Sequence, residues 1–202
     1  IFDPIFNSME LVFATYNKHK LQEAKGILGA FADIISPQDL GINAEIPENE
    51  ETLEGNALFK ANFIWQLCGK VCFADDTGLE VELLSGAPGV RSARYAGEDC
   101  DSRKNILKLL KELEGVENRN ARFRTSVALI INGKEYLFEG ILSGKIADRP
   151  FGSGGFGYDP VFIPDGYTKT LAELAFEEKN LISHRGVALR NLSVFLKEYL
   201  RP

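Results

Sequence analysis

Arg122-Phe-Arg-Thr-Ser-Val-Ala-Leu-Ile-Ile131 and Lys134-Glu-Tyr-Leu-Phe-Glu-Gly-Ile-Leu-Ser-Gly-Lys-Ile146 are two β-rich runs separated only by Asn132-Gly133. Asn-Gly between such runs is a strong hairpin signal, because both residues tolerate the positive φ that a two-residue turn requires. The two runs are therefore expected to pair antiparallel. Upstream the pattern changes. Leu11-Val-Phe-Ala-Thr15 is an apolar run of strand length, and Lys18 to Leu28 follows with Leu21, Ala24 and Leu28 at helical spacing before Gly29. Thr52 can cap a second helix running to about Leu67, with Leu53, Ala57, Ala61, Ile64 and Cys68 on one face and Gly69 as its stop. Val71-Cys-Phe-Ala74 reads as another strand, which delivers Asp75-Asp76 at its C-terminal end. Downstream, Ser102 to Leu113 is an amphipathic helix with Ile106, Leu109, Leu110 and Leu113 inward. Thr170-Leu-Ala-Glu173 is a capping box expected to open a short helix. Ser183 can cap a last helix whose Ala188, Leu192, Phe195, Leu196 and Tyr199 stripe faces the core. Early strand and helix alternation with a hairpin in the middle predicts an α/β fold on a mixed sheet.

With 202 residues, 45% hydrophobic and 26% charged, the composition is that of a globular chain and excludes a disordered or fibrous one. No repeat or linker divides it, so residues 9–202 are expected to form a single domain. Residues 1–8 read as an expression remnant, because Met9 is the only methionine and Ile1 to Ser8 lacks the basic start and long apolar stretch of a signal peptide. The formal net charge of −6 excludes a generic nucleic-acid or anionic-membrane binder, which needs a basic surface to displace counterions. No apolar run reaches the roughly 18–20 residues of a membrane helix. Three cysteines are an odd set and no disulfide framework, which fits a reducing cytoplasm. Cys68 and Cys72 lack a second Cys/His pair, so they read as small buried hydrophobes rather than zinc ligands.

Four constellations can carry chemistry. Thr15-Tyr-Asn17-Lys18-His-Lys20 lies at a strand-to-helix turn, where unpaired backbone N–H groups and the positive helix end attract phosphate. Thr15 and Asn17 add neutral hydrogen bonds and Lys20 a mobile charge, although an ordinary capped helix with solvated lysines accounts for the same residues. Glu48 and Asp75-Asp76-Thr77-Gly78 offer the carboxylate oxygens a hard divalent ion prefers, and they also suit a solvated turn. Phe151-Gly-Ser-Gly-Gly-Phe-Gly-Tyr-Asp-Pro160 places rings on a flexible backbone, fit either for stacking on a planar ligand or for a hairpin end. Lys179-Asn-Leu-Ile-Ser183-His184-Arg185 makes a donor-rich corner at a helix start, for an anion or a purine carbonyl. Cations there oppose the helix dipole and need another partner. Together the four describe a nucleoside triphosphate site.

These residues resemble the inosine triphosphate pyrophosphatases, the Ham1-type non-standard purine NTP pyrophosphatases. The resemblance runs from about Leu11 to Leu196. It rests on Thr15-x-Asn17-x-x-Lys20, Glu48 twelve residues before Lys60 in Asn56-Ala-Leu-Phe-Lys-Ala61, Ala74-Asp-Asp-Thr-Gly-Leu79, Gly86-Ala-Pro-Gly-Val-Arg-Ser-Ala-Arg-Tyr95, Gly155-Phe-Gly-Tyr-Asp-Pro160 and Lys179-Asn-x-x-Ser-His-Arg185. It implies a long mixed sheet with flanking helices forming two lobes around a central cleft, and a homodimer. It also implies magnesium-dependent hydrolysis of ITP, dITP and XTP to the monophosphate and pyrophosphate. On the matching positions, Thr15, Asn17, Lys18, Lys20 and Lys60 would grip the phosphates, and Glu48, Asp75 and Asp76 would serve the metal, Asp76 also as general base. Thr77, Phe156, Gly157, Tyr158, Asp159, Lys179, Ser183, His184 and Arg185 would hold the nucleotide. Tyr16 and Lys18-His19 stand where many relatives carry smaller residues. The alternatives are a related pyrophosphatase acting on another modified triphosphate, and a non-catalytic nucleotide-binding module.

Overall fold

Asn132 and Gly133 take φ of 51° and 71°, so the turn forms as its sequence requires and joins β5 (Asn120–Ile131) to β6 (Lys134–Ile146) as sheet neighbours. The computed structural model describes residues 9–201, so the expectation about residues 1–8 lies outside the described residues. The other strands are β1 (Met9–Phe13), β2 (Ala32–Ile35), β3 (Cys72–Val81), β4 (Pro88–Gly89) and β7 (Phe162–Pro164). Their order is β2-β1-β3-β5-β6-β7, with β4 paired to β3. The sheet is mixed: β1 runs parallel to β2 and β3, whereas β3 with β4 and β6 with β7 are antiparallel. The helices are α1 (Lys18–Leu28), α2 (Leu53–Cys68), α3 (Ser102–Glu112), α4 (Phe176–Ile182) and α5 (His184–Tyr199). Among the described residues no helix is long and apolar enough to cross a membrane.

The chain forms two compact units. The first holds the chain up to Asp76, Ser126–Glu139 and the chain from Ala188; the second holds Thr77–Thr125 and Gly140–Val187. In the first unit the pleat sorts side chains into two layers. Leu11, Phe13, Phe73, Val127, Leu129 and Ile131 pack with Ala24 and Leu28 of α1 and with Ala188, Leu192 and Leu196 of α5. Val12, Ala14, Cys72, Ala74, Ala128 and Ile130 pack instead with Ala57, Ala61 and Ile64 of α2. Both faces of these strands are covered, which is why they read as continuous apolar runs. In the second unit, Leu79, Val81, Phe123, Ile146, Val161, Phe162 and Leu171 pack with Ile106, Leu109 and Leu113.

Several elements differ from the sequence expectation. The strand predicted to end at Ala74 continues through Asp75-Asp76-Thr77-Gly78 to Val81, so the two carboxylates lie within a strand and not in a turn. The Thr170 capping box forms, with Glu173 Oε2 accepting from the Thr170 backbone N–H at 2.8 Å, but it closes only the 3-10 turn Leu171–Glu173. The helix carrying Lys179 starts afresh at Phe176. β2 carries only four residues, too few for a periodic signal, and pairing with β1 makes it a strand.

Gly78 fixes one approach closely. A Cβ there would lie 2.7 Å from the Gly89 carbonyl oxygen, a backbone atom held by the β3 and β4 pairing. Gly78→Ala is expected to cost about 1–3 kcal/mol through overpacking and to lower Tm by about 5 °C. Thermal unfolding measures it; a wild-type Tm would mean that β4 yields.

Candidate active site

Consecutive residues of β3 point to opposite faces, so Asp75 follows Phe73 onto the α1 side and Asp76 follows Ala74 onto the α2 side. Each meets a lysine from the helix packed there. Lys20 Nζ of α1 donates to Asp75 Oδ1 at 2.9 Å. Lys60 Nζ of α2 donates to Asp76 Oδ1 at 3.2 Å and to Glu48 Oε1 at 2.5 Å. Asn56, one helical turn before Lys60 and equally buried, donates to Asp76 Oδ2 at 3.0 Å while its Oδ1 accepts from the Glu50 N–H. Sequence reasoning gave Asn56 no role. A polar residue on the apolar face of α2, four before a buried lysine, was the available signal.

Burial and paired charge oppose each other at these groups. Burial pushes the Asp76 carboxyl above its ordinary value, and the attraction of Lys60 and Lys20 does not fully offset it. Burial works against the Lys60 ammonium too, but Asp76, Glu48 and Asp75 together hold its pKa above the usual lysine value. Glu48 is also penalised by burial, yet Lys60 keeps it below the ordinary glutamate value. Three carboxylates against two ammoniums leave one negative charge in this cluster. Hard oxygens with an anionic excess fit a divalent cation. Among the described residues no three His, Cys, Asp or Glu converge as a protein-only cage. A cation held by Glu48 and Asp76 would therefore complete its shell with water and phosphate oxygens.

The turn before α1 is built as an anion-facing helix start. Asn17 Oδ1 accepts from the His19 and Lys20 N–H groups at 2.9 and 3.2 Å, and Thr15 Oγ1 accepts from the Asn17 N–H at 3.2 Å. Asn17 is thus the helix cap. Lys18 is exposed. The bulky Tyr16 anchors the turn, its hydroxyl donating to the Ala44 carbonyl at 2.7 Å.

The second unit gathers the other set. Lys179 Nζ donates to Asp159 Oδ2 at 2.5 Å in a pair whose side chains are only 5% and 4% exposed. Asp159 Oδ2 also accepts from the Phe156 N–H at 2.8 Å. Gly155, at φ 67°, makes this possible, because a Cβ there would lie 2.1 Å from that carboxylate oxygen. Lys179 Nζ and the Arg185 guanidinium lie 4.9 and 5.4 Å from the centroid of the Phe156 ring. Arg185, 2% exposed, donates from Nη2 to Thr77 Oγ1 at 3.2 Å. Arg185 thus has the partner that a cation at a helix start requires, whereas Lys179, expected at that start, lies in the last turn of α4, where a cation suits the dipole. Ser183 Oγ accepts from the Gly186 N–H at 3.0 Å as the cap of α5, and Gly157 stands open at φ 60°. Tyr158 is buried, with its hydroxyl donating to the Ser92 carbonyl at 2.9 Å. Lys20, Glu48, Lys60, Asp75 and Asp76 thus gather in the first unit. Thr77, Phe156, Asp159, Lys179 and Arg185 gather in the second.

The model of the Ham1 family matches residues 11–195. The chain is 52% identical over 189 residues to the dITP/XTP pyrophosphatase of Flavobacterium psychrophilum, covering 94% of this chain and all of that one. It is 52% identical over 188 residues to the dITP/XTP pyrophosphatase of Porphyromonas gingivalis, covering 93% and 97%. A solved HAM1 protein structure from Coxiella burnetii superposes with a TM-score of 0.86 at 38% identity, covering 94% of this chain and 99% of that one. With its mixed sheet, its flanking helices and both residue clusters in place, the chain belongs to the Ham1 family.

Proposed function

We propose that the protein hydrolyses ITP, dITP and XTP to the nucleoside monophosphate and pyrophosphate, removing non-standard purines from the nucleotide pool. The carrying observation is the array of buried Lys60 and Asp76 with partly exposed Glu48, and with Lys20 and Asp75 on the opposite strand face. It sets cations for phosphate charge beside carboxylates for water and metal. The relatives named above carry the same activity in their names.

Lys20 and Lys60 neutralise charge that builds on the phosphates as water attacks the α-phosphorus in line and pyrophosphate leaves. Asp76 orients that water and takes its proton. Asn56 and Lys60 hold its two oxygens in place. No covalent nucleophile is needed. Magnesium is the proposed metal, held by Glu48 and Asp76, and when bound it supplies charge neutralisation and orientation at the phosphates. In the second unit, Lys179, His184 and Arg185 donate toward a purine 6-oxygen. Adenine places an amino group there and would leave those donors facing another donor. A homodimer, as the family resemblance implies, and a cytoplasmic location, supported by three cysteines without a disulfide framework, complete the proposal.

The test is a panel of ITP, XTP, ATP, GTP and dUTP with magnesium, with pyrophosphate scored separately from orthophosphate. Pyrophosphate from ITP and XTP is the expected result, with little from ATP, whose 6-amino group meets donors, and little from GTP. GTP shares the 6-oxygen, so its exclusion must rest on its 2-amino group. Orthophosphate release, or binding without turnover, would overturn it.

A further inference from the structure

β5 carries no residue of the six sequence blocks that mark the family, yet two of its residues pack against the second-unit cluster, one on His184 and one on Thr77. The Phe123 ring lies nearly parallel on the His184 imidazole, with centroids 4.5 Å apart and planes at 18°. Two residues on, Thr125 is fully buried, and its Oγ1 lies 2.7 Å from Thr77 Oγ1. Thr77 Oγ1 is the atom that accepts from Arg185 Nη2. A guanidinium has only donors, so Thr77 Oγ1 accepts from Arg185, and the same hydroxyl shares a second hydrogen bond with Thr125 Oγ1. Arg185, Thr77 and Thr125 thus form one connected hydrogen-bonded chain, which restrains the guanidinium through two linked hydroxyls.

Alternate strand residues share a face, so Phe123 and Thr125 approach from the same side. What they hold is also consecutive, because His184 and Arg185 open α5. We propose that Thr125 and Phe123 are positioning residues that set purine selectivity, Thr125 by fixing Arg185 through Thr77 and Phe123 by fixing the plane of the His184 ring. This rests on the reading of the second-unit cluster as the purine pocket. Arginine carries large rotamer freedom, and a donor aimed at one carbonyl oxygen discriminates only while its position is held. Thr125 supplies that restraint without touching the substrate.

The experiment compares Thr125→Val, Thr125→Ser and Phe123→Leu with the wild type, using ITP and ATP with magnesium. Valine keeps the volume of threonine and deletes the hydroxyl; leucine keeps an apolar side chain and deletes the stacked ring. In Thr125→Val and Phe123→Leu the KM for ITP is expected to rise about tenfold, with kcat within about twofold and the ITP to ATP ratio of kcat/KM reduced accordingly. Thr125→Ser restores the wild-type KM. A merely structural role gives the opposite split, with kcat lowered by loss of folded enzyme and KM unmoved. If Thr125→Val fails to fold, Phe123→Leu carries the same test. Unchanged KM in the variants, with the wild type still preferring ITP, overturns this inference and leaves the pocket reading standing. A wild type that does not distinguish ITP from ATP overturns the pocket reading and this inference with it.

Discussion

Asp76→Asn is expected to lower kcat/KM for ITP by about 10³-fold, within the range for loss of a positioned general base. The substitution keeps the shape of the side chain and removes its charge and basicity. The new amide oxygen still accepts from one of the two donors, Asn56 or Lys60, while its NH₂ loses the other; Lys60 keeps Glu48 as a partner 2.5 Å away, so no ammonium is stranded. The fold should therefore survive, with Tm within a few degrees of wild type, which separates lost chemistry from lost structure. Steady-state kinetics with pyrophosphate detection reads the effect. Activity within tenfold of wild type would remove Asp76 from the base role and leave it as a structural partner of Lys60.

Lys179→Met is expected to give the largest loss of stability. Lys179 and Asp159 are both nearly fully buried, and the ammonium is 2.5 Å from the carboxylate. Removing one partner of such a pair leaves an uncompensated charge, at a cost of about 3–5 kcal/mol. For a chain of this length that corresponds to a fall in Tm of about 10 °C. The damage passes to the pocket, because Asp159 holds the Phe156 backbone and Lys179 lies over the Phe156 ring. The KM for ITP should rise as well. The double variant Lys179→Met with Asp159→Asn removes both charges and is expected to recover most of the lost Tm, although not the selectivity. Calorimetry on the single and double variants decides it: equal losses would show that the stranded carboxylate is not the source.

Much of this protein is legible locally. Asn17 before α1, Thr52 before α2 and Asp101 before α3 each cap the helix that follows, through hydrogen bonds spanning two or three residues. Asn132-Gly133 turns the hairpin for the same reason of range. The candidate site was legible as a set of residue types, because phosphate, metal and purine chemistry each demand particular groups. Its arrangement was not. Asp75 and Asp76 are adjacent in sequence, which invites a single metal-facing turn; in the fold they belong to opposite faces of β3 and to different lysines. Thr125, between Arg124 and Ser126, and Asn56, after Glu54-Gly55, carry no mark of a role in their immediate neighbours, because their partners Thr77 and Asp76 lie 48 and 20 residues away.

The sequence by itself determined the α/β class, the helix caps, the hairpin and the family, since those follow from interactions a few residues long and from motif spacing. Only the tertiary structure decided that β3 carries two carboxylates through its middle. Asp75 and Asp76 in a buried strand are disfavoured by every local rule, because desolvation of a carboxylate far exceeds any strand propensity. The ammoniums that offset that cost come from Lys20 and Lys60, 55 and 16 residues away, and they exist as partners only once α1 and α2 have packed on the two faces of the sheet.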